Sequence, residues 1–84
     1  MITKAELLKA FGAMTVAFAS KNEEEIKQNS KKLDEALAEA TPEMIDELKS
    51  RPNTPSFSEV VETCVKLINL GKEVAQLVAR LRGL

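Results

Sequence analysis

Histidine, tryptophan and tyrosine are absent from this chain, and cysteine occurs once, as Cys64. Without histidine, the side chain that most often serves as general base or metal ligand near neutral pH is missing. One thiol can close no intrachain disulfide and build no cysteine-rich zinc site, and such sparing use of cysteine reads as intracellular. No metal and no cofactor is implied. Because three Phe are the only aromatic residues, the core has to be assembled from interlocking aliphatic side chains.

An excess of charge of one sign is lacking too. The formal net charge is −1, so no field of the whole molecule draws it to nucleic acid or to an anionic membrane. Locally the sign varies: residues 1–20 sum to about +1, residues 21–50 to about −4 and residues 51–84 to about +2. An acidic middle can therefore lie against a more basic C-terminal segment. The longest largely apolar stretch, Ala10 to Ala19, falls short of the roughly 18 to 20 residues a membrane span needs. The opening Met1, Ile2, Thr3, Lys4 runs straight into a pattern containing Glu6, so no signal peptide is expected. These features describe one soluble domain, cytoplasmic or otherwise intracellular, with 84 residues to fill its core.

What is present is helical periodicity. Thr3 and Glu6 form a capping box, with Ile2 and Leu7 at the positions of a hydrophobic staple, and they predict a helix over about 4–19. Leu7, Phe11, Met14 and Phe18 recur at spacings of four and three and mark its core face. Leu8, Ala10, Gly12, Ala13, Val16, Ala17 and Ala19 make nearly every other face apolar or small, so this helix is expected to be central and buried all round. Asn22 with Glu25, or Ser20 with Glu23, starts a second helix over about 23–40, where Glu23, Glu24 and Glu25 suit the positive end of the helix dipole. Its thin stripe, Ile26, Ser30, Leu33, Leu37 and Ala40, predicts a peripheral position. Thr41 and Pro42 interrupt before a short third helix over about 43–49, and Ser50 to Pro55 is a loop.

The last segment has the strongest pattern. After a capping box at Ser56 and Glu59, the residues Phe57, Val60, Cys64, Leu67, Gly71, Val74, Val78 and Leu81 alternate by three and four without a change of phase. Val61 and Ile68 widen this seam on one side and Leu77 on the other. The pattern passes through Gly71, which favours one helix over about 57–82, roughly 39 Å long; the alternative is a helix that ends at Gly71, giving two shorter helices that fit inside a monomer. A globule of this chain length is only about 30 Å across, so such a helix overhangs and must bury its face on a second chain. The expected fold is an all-α bundle of three to four helices with a long C-terminal helix. Its interface comprises Phe57, Val60, Val61, Cys64, Leu67, Ile68, Gly71, Val74, Leu77, Val78 and Leu81.

Candidate chemistry is sparse. Cys64 lies on the apolar seam with no histidine to activate it, which marks it as core. Adjacent carboxylates such as Asp34 and Glu35 point about 100° apart on a helix and do not converge on a metal. Lys49, Arg51, Asn53, Thr54 and Ser56 precede a helix N-terminus, where free amides attract anions or a partner's loop. A helix-turn-helix reading fails, because the fourth helix opens on Glu59 and Glu62 rather than on basic residues, and nucleic acid is disfavoured. The sequence thus points to a non-enzymatic interaction module, an adaptor, inhibitor or structural subunit, acting on itself as a homo-oligomer or on another protein. The alternative is a small-ligand or nucleic-acid-binding protein that uses the 49–56 loop.

Overall fold

A computed structural model describes residues 1–51 and 55–84, so Asn53 and Thr54 lie outside the described residues. Five α-helices follow in order: α1 (Lys4–Ser20), α2 (Glu23–Glu39), α3 (Pro42–Ser50), α4 (Phe57–Lys66) and α5 (Lys72–Gly83). A 3-10 turn, Ile68–Leu70, joins the last two, and no strand occurs among the described residues.

Short-range hydrogen bonds set the first four helix starts. Thr3 and Glu6 close both bonds of the capping box, and the backbone N–H of Thr3, donating to the Glu6 carboxylate, holds that acid below its ordinary range. Asn22 accepts from the amide of Glu25, Thr41 from that of Met44, and Ser56 from that of Glu59. Pro42 occupies the first turn of α3, where its missing N–H leaves no helical bond unmade. Lys21, with φ at 58°, turns the chain in the left-handed region between α1 and α2.

The arrangement around the core departs from the expected one in three ways. The first concerns α2, which makes the most extensive contacts in the molecule, with α1 on one side and α5 on the other. Its narrow stripe of Ile26, Leu33 and Leu37 is flanked by buried Ser30 and Ala36, whose small side chains let both neighbouring helices come close. Ser30 is a satisfied buried hydroxyl: it donates to the Ile26 carbonyl at 2.6 Å and lies 3.7 Å from the Met14 sulfur. A thin stripe therefore does not imply a peripheral helix when its residues face two partners.

The second departure is in α1. Leu7, Phe11, Met14 and Ala17 are buried and Phe18 is half-buried, but the helix is not enclosed. Ala5 and Ala19 are exposed and Val16 is 68% exposed.

The third is in the C-terminal segment, which is two helices rather than one, giving five in place of three or four. Helix α4 stops at Lys66, the chain passes through the 3-10 turn, and Gly71 is extended, with φ 168° and ψ 173°, before α5 begins. This elbow returns α5 across α2 and α4, so that Val74, Leu77, Val78 and Leu81 enter the same core as Val60, Cys64 and Leu33. The molecule measures 30 × 23 × 20 Å with a radius of gyration of 11.5 Å, and no helix overhangs it. Ion pairs span the outside, Arg80 with Asp34 between α5 and α2 and Lys4 with Glu47 between α1 and α3.

Candidate functional site: the outward face of α1

The eleven residues expected to form an intermolecular seam mostly face inward within one chain. Val60, Cys64, Val74, Leu77, Val78 and Leu81 are buried, while Phe57, Val61, Leu67 and Gly71 are half-buried. Ile68, at the elbow, is the one member classed as exposed, at 37%. The apolar requirement read from the pattern is met by the chain itself. The inference that a second chain must meet it loses its premise once the helix bends.

Residues of the 49–56 loop are engaged locally. The Lys49 ammonium donates to the Leu84 carbonyl, and the Ser56 hydroxyl accepts from the Glu59 amide and donates to the Glu59 carboxylate. Arg51 is half-buried. Cys64 is enclosed, and burial pushes its thiol up to about 11, which removes the thiolate a nucleophile needs. Among the described residues, no group of three or more Cys, Asp or Glu stands where it could hold a metal ion, and no helix is long and apolar enough to cross a membrane.

The surface that stands out lies on α1, opposite the core. Successive residues of a helix are 100° apart, so Ala5, Leu8, Gly12, Val16 and Ala19 share one face, rotated about half a turn from Leu7, Met14 and Ala17. Ala5, Val16 and Ala19 on it are exposed, Gly12 is half-buried, and Leu8 is half-buried with its side chain against the edge of the core. Lys9 borders that face, about 60° from its centre at Gly12 and on the side toward α2. Gly12 is notable because a Cβ added there would meet no atom of the described residues within 4 Å. Glycine inside a helix costs about 1 kcal/mol relative to alanine, and the packing of the described residues does not call for it. Thr15, half-buried, donates back to the Gly12 carbonyl at 2.7 Å, which occupies its hydroxyl.

Beside this ridge is a depression of about 130 Å³, bordered by Leu8, Gly12 and Thr15 of α1, Leu48 of α3, Arg51 and Pro55, and Phe57 of α4. Phe11 and Phe57 stack across its floor with ring centroids 6.3 Å apart and planes within 2° of parallel. Its lining is mixed, with Thr15 and Arg51 beside the apolar side chains. On the other flank of α1, a shallower groove of about 410 Å³ runs along α2, floored by Ala10, Ala13 and Ala36 and rimmed by Glu6, Lys9, Lys32, Glu35 and Glu39.

Sequence reasoning passed over this face because it treated a helix apolar on all sides as buried on all sides. The signal was present in the near absence of charge on the α1 face opposite its core residues, together with a glycine at its centre. Compared with known proteins, the chain matches no protein-family model, no curated sequence and no solved structure.

Proposed function

We propose that this protein is a non-enzymatic helical interaction module, an adaptor, inhibitor or structural subunit, that acts by helix-on-helix packing and associates with a second copy of itself through the outward face of α1. The observation that carries this reading is the apolar ridge of Ala5, Leu8, Gly12, Val16 and Ala19, in which Ala5, Val16 and Ala19 are exposed, with Val16 at 68%, and Leu8 and Gly12 are half-buried beside the depression. The ridge reads alike in both directions from Gly12, with a large aliphatic residue four positions away on each side and an alanine seven positions away. An antiparallel pairing about a two-fold axis at Gly12 sets Leu8 against Val16 and Ala5 against Ala19, which is the self-matching an isologous contact requires. It also opposes the two helix dipoles. The neighbouring depression borders such a contact.

The competing reading, a small anion or nucleic acid held by the 49–56 loop, has less support. Lys49 and Ser56 already spend hydrogen bonds inside the chain.

Nuclear magnetic resonance at increasing protein concentration tests the proposal. Amide signals of residues 5–19 on the outward face should shift with concentration, and Val16→Glu should abolish the shifts while leaving the dilute spectrum folded. Spectra that do not change with concentration, or changes confined to other helices, would remove the α1 surface from consideration.

A further inference from the structure

Four of the five α-helices begin on a side-chain cap, at Thr3, Asn22, Thr41 and Ser56, and α5 does not. Its preceding residue is Gly71, which has no side chain to offer. Helix α4 also ends without a stop signal, since it runs into Leu67 at φ −100° and ψ 11°, and residues 66–70 contain neither glycine nor proline. Meanwhile Cys64, Leu67, Gly71, Val74 and Val78 keep the three-four alternation through the bend. The apolar alternation thus favours a continuous helix, and Gly71 is the one local residue that opposes it. The bend is held by tertiary packing, namely Val74, Leu77, Val78 and Leu81 in the core and the Arg80–Asp34 ion pair outside it.

We infer that Leu67–Gly71 is a hinge with a second, straight arrangement, in which α4 and α5 join into one helix and two copies of the chain exchange α5. Residues 57–83 as one helix span roughly 40 Å, longer than the 30 Å greatest dimension of the folded chain. Straightening therefore carries α5 out of its own core and uncovers Val74, Leu77, Val78 and Leu81. The surface fitted to that face is the cleft between α2 and α4 that α5 has just left, and a second copy presents the same cleft. The occupant is thus fixed as α5 of another copy, and the contacts of α5 with α2 and α4 are remade across the two-fold axis, while those of the 3-10 turn with α5 are given up. The exchange gains helical hydrogen bonds across residues 67–71. Against it stand a glycine placed mid-helix and the entropy of joining two chains, so it grows with protein concentration. It needs no contact through α1.

Two substitutions move the elbow in opposite directions. Gly71→Ala removes the mid-helix glycine from both copies. In the bent form a Cβ there would crowd only the mobile end of Glu73, at 2.8 Å, and the Lys27 side chain. Lys72→Pro suits the first residue of α5 but breaks the interior of a straight helix. Absolute mass is measured by light scattering behind a sizing column over a wide range of concentration. We expect Gly71→Ala to raise the dimer association constant roughly 20-fold. In a Val16→Glu background, which removes any contact through α1, Lys72→Pro should be monomeric throughout and Gly71→Ala should still dimerise. The inference is overturned if Gly71→Ala dimerises no more than the parent chain, a comparison that stands even if Lys72→Pro does not fold. It is overturned equally if, in the Val16→Glu background, a folded Lys72→Pro dimerises as the Val16→Glu chain does, or if association responds to Val16→Glu and not to Gly71→Ala. That last pattern would leave the α1 surface as the contact.

Discussion

Helix α1 and the α4–α5 pair carry comparable amounts of apolar sequence and use it in opposite ways. The seam over residues 57–81 has the regular alternation of an intermolecular contact, yet its Val60, Cys64, Val74, Leu77, Val78 and Leu81 are enclosed by their own chain. Helix α1, whose apolar residues run around its whole circumference, was the segment expected to vanish inside, and it leaves Val16 in solvent. An apolar pattern states that a face is to be buried. It does not state by what, because that depends on whether the element bends and on which helices are close enough to cover it.

The sharpest way to break this contrast is to place a charge on each surface. Val74→Asp puts a carboxylate where nothing is exposed to solvent, so the chain should lose its cooperative unfolding transition and much of its helical circular dichroism. Val16→Glu should change stability by no more than about 0.5 kcal/mol, the range for surface sites. Equal damage from the two would mean that α1 is as enclosed as the seam.

Cys64 gives a medium-sized effect that belongs to the seam alone. Its pKa is raised from 9.0 to about 11 by burial, so the folded chain holds the proton more tightly than the unfolded chain does. Stability from this group is complete below pH 9.0 and is lost as pH rises toward about 11, by on the order of 2 kcal/mol. Urea unfolding across that range should show the loss in the parent chain, and Cys64→Ala should show a correspondingly shallower decline. At pH 8 a thiol reagent should label Cys64 only as fast as the chain opens.

Gly12→Ala is expected to have the smallest effect on stability and the most informative sign. With no described atom near the new methyl group, the chain should gain about 0.5 to 1 kcal/mol from helix propensity while any association through α1 weakens. A destabilised variant would show that the glycine serves the fold of the single chain.

Much of the fold was legible in the sequence because it is written in short-range chemistry. The boxes at Thr3–Glu6 and Ser56–Glu59, the Asn22 cap and the Thr41–Pro42 start are local devices, and each appears where its residues predict it. The elbow at Leu67–Gly71 was only half legible: Gly71 offered a break, but the unbroken alternation around it favoured one helix, and it is the return of α5 onto α2 that decides for the bend. The central place of α2 was hidden for a related reason. Its stripe of Ile26, Ser30, Leu33 and Leu37 has the width of one contact, and the small Ser30 and Ala36 that admit a second neighbour carry no hydrophobic signal. The candidate surface on α1 became visible only by subtraction, once the core had claimed Leu7, Phe11, Met14 and Ala17 and left the opposite face over.

The claim at the centre of this account is that the C-terminal seam is the core of a single chain. Denaturant unfolding of Leu77→Ala against the unsubstituted seam tests it most directly, both in a Val16→Glu, Lys72→Pro background that removes the α1 contact and the exchange of α5, and at two protein concentrations. The account predicts a loss of about 2 to 5 kcal/mol from Leu77→Ala, with unfolding midpoints that do not depend on concentration. Midpoints that rise with concentration in both proteins would contradict it, because the seam would then be assembled from two chains.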